Sequence, residues 1–325
     1  MDDAVRPTRP MIPRPPKGFA DPTPSTVDDP FFGAWDDSLP TAPRVNHVDA
    51  LPGTIHGRYE TLGILGSGAT STVYEVHDTV DNCHRALKVL ELQDEVSLVR
   101  FQREAAVLAR LRHPSIVRAH AEGAWGGRHY LVLEIVHGTD LLSWIQTSGA
   151  PMDHRRVARL FRDVALGLHE AHEAGVIHRD IKLGNLVLQE LPDGTERLRV
   201  VDFGLAHPLD SRVSITLANT VLGTPSYMAP ERITATERPS PSWDVYGLGV
   251  VLYELLTRRA LFRRKSLAET MRAIERDVPV PVRERNPDVP TGLDRLVSEM
   301  LEKDAADRPG CCHEVAVRLQ EFEAA

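Results

Sequence analysis

One lysine, several carboxylates and a glycine-rich run in this sequence are spaced so that together they could handle a phosphate group. The run is Gly66-Ser67-Gly68-Ala69-Thr70-Ser71-Thr72-Val73. Glycine lacks the Cβ that blocks close approach, so backbone N–H groups there can face phosphate oxygens. The run falls between two predicted strands and not between a strand and a helix, which argues against a dinucleotide fold. It also lacks the Gly-Lys-Ser/Thr ending of a Walker loop. Standing alone it reads as a flexible hairpin. Ala86-Leu87-Lys88 lies on the next strand but one and brings an ammonium near the hairpin mouth. Glu104 falls on the following helix, four residues before apolar Leu108 and so on its inward face. An inward carboxylate needs a cation, and Lys88 is the nearest candidate. Taken by themselves the two would make a surface ion pair, worth about 0–1 kcal/mol.

The elements that must position these groups follow from periodicity. Residues 59–65, 71–76 and 85–90 read as short strands separated by Gly or Asp-Asn turns. Residues 96–112 read as a helix, with Leu98, Phe101, Ala105, Leu108 and Leu111 at helical spacing. Residues 129–135 form another predicted strand. Beyond Gly138 the pattern turns helical, at 141–147, 154–173, 243–256, 267–275, 292–301 and 312–323. A strand-rich piece leading into a helix-rich piece is the α+β, two-lobed pattern.

The helix-rich piece carries His178-Arg179-Asp180-Ile181-Lys182-Leu183-Gly184-Asn185 and then Val200-Val201-Asp202-Phe203-Gly204. Gly223-Thr224-Pro225-Ser226-Tyr227-Met228-Ala229-Pro230-Glu231 follows, then Asp244-Val245-Tyr246-Gly247, and finally Arg308-Pro309. Together with the glycine-rich run and Lys88, this set resembles the eukaryotic-like Ser/Thr protein kinase family, in its order and at its usual separations. The resemblance runs from about residue 59 to about residue 322. It implies a small β-rich lobe at about 55–136 and a larger helical lobe at about 137–323, within a catalytic domain of residues 55–325.

The resemblance also implies roles. Lys88 holds the α- and β-phosphates of ATP, and Glu104 fixes Lys88. Asp202 and Asn185 supply hard oxygen ligands suited to Mg2+. Asp180 orients the acceptor hydroxyl and takes its proton. Lys182 reaches the γ-phosphate, and a lysine there resembles the Ser/Thr class and not the Tyr class. Thr224 helps to place Asp180 and Lys182. Leu65, Gly66, Ser67 and Gly68 cover the nucleotide, Val73 and Ala86 roof it, and Leu186 or Leu188 forms part of the floor. Glu134, Ile135 and Val136 look like the hinge beside the adenine, Leu133 guards the deeper pocket, and Asp140 contacts the ribose. Glu231 is expected to pair with Arg308, Asp244 to brace the His178 loop, and His178 to pack without carrying protons.

Ser71 stands where the family has a third glycine, and Leu183 where proline is common; every catalytic position is filled. The segment between Asp202 and Glu231 holds Ser211, Ser214, Thr216 and Thr220. Arg179 precedes Asp180, an arrangement that resembles kinases switched on by phosphorylation of this segment. A phosphate on Thr216 or Thr220 adds about −1.5 to −2 charge that Arg179 could grip. Arg100, one helical turn before Glu104, is either a second partner for that phosphate or a solvated helix residue. His207 stands where relatives often place a basic residue.

Bulk properties narrow the rest. The chain has 325 residues, 42% hydrophobic and 26% charged, with formal net charge −8. That charge gives no support to a nucleic-acid or anionic-membrane surface. Residues 1–54, rich in Pro, Asp, Thr and Ser, bury too little apolar surface to order themselves and are expected to be disordered. Phe31-Phe32-Gly33-Ala34-Trp35 is an aromatic cluster within them. The 3 cysteines fit reduced thiols more than a disulfide framework. No basic-then-apolar leader opens the sequence, the longest apolar stretch at 245–256 is too short to span a bilayer, and no sensor domain or anchor is expected after the last helix. These features point to a cytoplasmic protein, and the resemblance implies protein substrates bearing Ser/Thr with transient self-association for autophosphorylation. The alternatives are a pseudokinase scaffold, which would lack Lys88, Asp180 or Asp202, and a small-molecule phosphotransferase, which would lack the 223–231 segment.

Overall fold

The computed structural model describes residues 53–67, 71–90, 95–204, 225–234 and 238–323, all within one compact unit spanning residues 33–325. Residues 1–52 with their aromatic cluster, Gly68, His207, Ser211, Ser214, Thr216, Thr220 and Thr224 lie outside the described residues.

The smaller lobe is one antiparallel sheet. Its strands are β1 (Thr54–Ile55), β2 (Tyr59–Ser67), β3 (Ser71–Asp78), β4 (Cys83–Leu90), β5 (Ala119–Trp125) and β6 (Arg128–Leu133), ordered β1-β2-β3-β4-β6-β5. Thr54 pairs with Glu60, so the folded lobe takes in a residue that the sequence reading left to the disordered segment. Strand alternation sorts the side chains between two cores. Ala86, Leu90, Leu131 and Leu133 join the large core that continues into the second lobe. Leu87, Val89, Tyr130 and Val132 turn the other way and pack with Ile55, Tyr59, Tyr74 and Val76. Phe101, Ala105 and Leu108 of helix α1 (Glu95–Leu108) join the large core. The helix ends four residues before the predicted boundary, where Arg112 turns back onto the carbonyl oxygens of Ala109 and Leu111 at 2.7 and 2.8 Å. β5 was not foreseen, because Ala and Gly within it carry little strand preference.

The larger lobe holds α2 (Leu141–Thr147), α3 (His154–Glu173), α4 (Pro230–Thr234), α5 (Pro241–Thr257), α6 (Leu267–Arg276), α7 (Val282–Arg285), α8 (Thr291–Met300) and α9 (Cys312–Gln320). A three-stranded sheet of β7 (Thr139–Asp140), β8 (Leu186–Glu190) and β9 (Glu196–Val200) lies at its upper edge in chain order β7-β8-β9. Asp153 caps α3 by accepting from the N–H groups of Arg155 and Arg156, which would otherwise lack partners. Every residue of α5 from Trp243 to Thr257 is buried, as expected of a helix apolar nearly all round. It is the post around which the lobe is built. Gly247 on this helix lets the catalytic segment lie directly against it, since a Cβ there would stand 3.0 Å from Ile181 Cβ.

The expected Glu231–Arg308 pair is present as a fork, with both Arg308 Nη atoms 2.8 Å from a Glu231 oxygen. The side chains are 7% and 0% exposed. Removing one partner strands a buried charge, so Arg308→Met is expected to cost about 3–5 kcal/mol in denaturant unfolding. A loss below about 1 kcal/mol would mean that the pair behaves as a solvated one.

Candidate active site

The segment after α3 turns sharply, and Asp244 at the start of α5 is what it turns around. The Asp244 carboxylate accepts from the His178 N–H at 2.8 Å, the Arg179 N–H at 2.8 Å and His172 Nε2 at 2.7 Å. Burial pushes this carboxyl upward, but the His172 hydrogen bond, with that of the His178 N–H, holds it below the usual carboxylate range. His178 is fully buried and packs on Phe203 with ring centroids 4.6 Å apart. Burial lowers its pKa. Its Nδ1 accepts from the Asp180 N–H at 3.2 Å and its Nε2 meets Val201 O at 3.0 Å. Those partners suit a neutral ring protonated on Nε2.

Asp180 therefore leaves the turn in a fixed direction. Its Oδ2 accepts from Lys182 Nζ at 2.7 Å and from Asn185 Nδ2 at 3.0 Å, and the same amide donates to Asp180 O at 2.8 Å. Across the cleft, the sheet register sets Lys88 between Val73 on β3 and Leu131 on β6. Lys88 Nζ lies 2.5 Å from Asp202 Oδ1 and 3.3 Å from Phe203 O. Asp202 sits in the left-handed region at φ 62°. Partial burial raises the Asp202 pKa, the side chain being 42% exposed, and Lys88 more than reverses this through its charge and hydrogen bond.

The expected Lys88–Glu104 pair is not formed here. Glu104 instead accepts from Arg179, at 2.5 Å from Nη2 and 3.3 Å from Nη1. Both side chains are buried, so this pair neutralises two charges that would otherwise be stranded in the core. Lys88 and Arg179 are rival cations for one carboxylate, and in this structure Arg179 holds it.

A model of the protein kinase domain matches residues 59–318. The chain belongs to the protein kinase family. Serine/threonine-protein kinase pkn3 of Myxococcus xanthus is 33% identical over 276 residues, covering 82% of this chain and 50% of that protein. PknB of Mycobacterium leprae is 34% identical over 264 residues, covering 79% of this chain and 42% of that protein. The chain thus spans half or less of the length of these curated relatives. The crystal structure of the Mycobacterium tuberculosis PknI kinase domain superposes with a TM-score of 0.65 at 29% identity, covering 83% of this chain and 98% of that one.

The remaining kinase positions fall around this centre unevenly. Ala86 pairs with Leu133, and Val73 packs against the core that both join. Leu65 is exposed, as are Gly66 and Ser67 at the end of β2. Glu134 turns its side chain back into the protein, accepting from the Arg118 N–H at 2.7 Å and pairing with Arg199. Ile135 and Val136 are half-buried beside it. Asp140 caps α2, its two oxygens taken by Ser143 N at 2.9 Å and Ser143 Oγ at 2.6 Å. Arg100 lies half-buried on α1, a turn before Glu104. Leu188 lies on β8. It shares a strand face with fully buried Leu186 and packs against the core. Val187 points the other way, towards Gly138, where a Cβ would come within 2.8 Å of its Cγ1.

Membership of the kinase family brings ATP and a divalent metal ion with it. Asn185 spends its amide nitrogen on Asp180, which leaves its Oδ1 to join the Asp202 carboxylate as a pair of hard oxygen donors, a set suited to such an ion. Sequence reasoning missed two residues that brace the site, His172 and Arg199. The signal for His172 was present, since it continues the buried face of α3 through Phe161, Ala165 and Leu168 at helical spacing. Beyond the site, Tyr227 donates to Glu254 Oε2 at 2.6 Å. Burial pushes the Glu254 carboxyl up to about 7, against the pull of that hydrogen bond.

Proposed function

We propose that the chain is an ATP-dependent protein serine/threonine kinase that transfers the γ-phosphate to protein hydroxyls. The observation that supports this reading is that Lys88 pairs with Asp202, that Lys182 and Asn185 hold Asp180, and that the charges of Asp180 and Lys182 are felt at Asp202. In phosphoryl transfer the protein's task is mostly positioning and charge stabilisation. Asp180 is the proton acceptor, oriented by Asn185. Lys182, 2.7 Å from it, faces the charge that develops on the transferred group. Lys88 is the cation for the α- and β-phosphates, and Thr224 supports Asp180 and Lys182. Asp202 and Asn185 would hold Mg2+, which neutralises phosphate charge. The adenine would be held by Val73 and Ala86 on one side and β8 on the other, with Leu133 guarding the deeper pocket and the backbone of Glu134 and Val136 offered to its edge. As the family resemblance implies, Leu65, Gly66, Ser67 and Gly68 would cover the phosphates and Asp140 would contact the ribose. A scaffold without catalysis is disfavoured because no catalytic group is missing.

The catalytic domain is taken as residues 55–325, with Thr54 added by its pairing, and lobes meeting near residue 136. The cytoplasm is the proposed setting, supported by ATP supply and by free Cys83, Cys311 and Cys312. Protein substrates are the proposed partners. Autophosphorylation of Thr216 or Thr220, through brief self-association, is the proposed switch. A phosphate there would compete with Glu104 for Arg179, with Arg100 as a second cation, and would release Glu104 towards Lys88. Mass mapping after incubation with Mg-ATP is expected to find phosphate on Thr216 or Thr220 and none on tyrosine, with activity rising in step. An unmodified segment in a chain already fully active would refute the switch, and phosphotyrosine would refute the specificity.

A further inference from the structure

We propose that Arg232 is a positioning residue for Asp180, its guanidinium pinning the peptide group that joins Arg179 to Asp180. The inference rests on the phosphotransfer reading above and extends it to a residue outside the recognised motifs. Arg232 lies on α4, and its Nη1 donates to the Arg179 carbonyl oxygen at 2.5 Å. Its Cζ stands 5.4 Å from the centre of the Trp243 ring, within cation–π range. The carbonyl it holds belongs to the same peptide group as the Asp180 N–H, which donates to His178 Nδ1 at 3.2 Å. One plane is thus fixed at its oxygen by Arg232 and at its hydrogen by His178.

That plane needs holding. Arg179 has φ 69°, a left-handed conformation that a long side chain resists. Such strain persists only where the surroundings over-determine it. Asp244 fixes the N–H side of Arg179 at 2.8 Å, and Arg232 fixes the carbonyl side. Trp243 and Asp244 are neighbours on α5, so both anchors lead back to the same buried helix. If the Arg232 anchor is lost, Arg179 can relax and the 179–180 peptide can rotate. Asp180 follows, because its backbone nitrogen is in that plane. The two groups on the nucleotide side, Lys88 and Asp202, hold each other independently of Arg232. The damage should therefore fall on transfer and spare nucleotide binding.

The test uses the full chain with Mg-ATP and dephosphorylated casein as acceptor, measuring kcat, KM for ATP and the rise in unfolding temperature on adding ATP. Arg232→Met is expected to lower kcat by about 10- to 100-fold, the range in which small misplacements of a reacting group fall. KM for ATP and the ATP-induced rise should stay at wild-type values. Arg232→Lys, which keeps the charge and a donor, should recover part of kcat. Added guanidinium should raise the rate of Arg232→Ala. If Arg232→Met does not unfold cooperatively, the lysine variant and the guanidinium response decide the matter. Wild-type kcat in Arg232→Met overturns the proposal. So does a loss of ATP binding in proportion to kcat, which is what general loosening would give. An active wild type with an equally active variant removes this assignment alone, whereas a wild type that labels nothing removes the phosphotransfer reading and this inference together.

Discussion

Asp180→Asn is expected to lower phosphate transfer by about 10²- to 10⁴-fold, the usual contribution of a positioned general base. The nucleotide-induced rise in unfolding temperature should survive. The substitution keeps the volume of the side chain and its place in the turn, which is set by backbone contacts to Asp244 and His178. What changes is the chemistry at one atom. Oδ2 now accepts from Lys182 and Asn185 at 2.7 and 3.0 Å. An amide can turn its oxygen to one of them but cannot take a proton from an acceptor hydroxyl. ATP binding depends on other groups, Lys88 among them, so it should be spared. Steady-state rates and thermal unfolding with and without ATP check both halves. A variant that loses ATP-dependent stabilisation along with turnover would show that Asp180 shapes the nucleotide site and is not only a proton acceptor.

Lys88→Met and Glu104→Ala should separate in the opposite sense from that implied by a Lys88–Glu104 pair. Lys88 is 6% exposed and its partner Asp202 is 42% exposed. A carboxylate that remains in contact with water tolerates loss of its cation, so Lys88→Met should cost only about 0–1 kcal/mol of stability. Its cost to transfer should be about 10²- to 10³-fold, as for removal of a preorganised charge-stabilising donor. Glu104 and Arg179 are 8% and 7% exposed. Truncating Glu104 leaves the guanidinium buried and unmatched, an expected loss of about 3–5 kcal/mol. Urea unfolding of the two variants gives the comparison. A larger stability loss for Lys88→Met than for Glu104→Ala would contradict the pairing found here.

Much of this molecule was legible because the informative residues are punctuated by fixed chemistry. The family resemblance singled out Val73, Ala86, Lys88 and Leu133, and the register of β3, β4 and β6 puts them on one face of the sheet. The Asp244 brace and the Glu231–Arg308 fork, expected from the same resemblance, are both formed. What escaped the sequence was a matter of rotation and register. Lys88 and Arg179 compete for Glu104, and the winner depends on how α1 is turned against the cleft, which helical spacing does not specify. Leu188 packs against the core and Val187 faces away from it, because in a strand a single step reverses the face. Arg199 clamps the Glu134 side chain from β9, 65 residues away in sequence. Arg232 is likewise invisible in the sequence, since its partner is a backbone carbonyl and no side-chain pattern records it.

The central claim is that the cleft between Lys88 and Asp180 moves phosphate from nucleotide to protein. Incubating the full chain and its Asp180→Asn counterpart with γ-labelled ATP, Mg2+ and dephosphorylated casein, then identifying the labelled amino acids after acid hydrolysis, tests it most directly. Label on serine or threonine from the wild type, and almost none from the variant, is the expected result. No label from either chain, or the same amount from both, would contradict the claim.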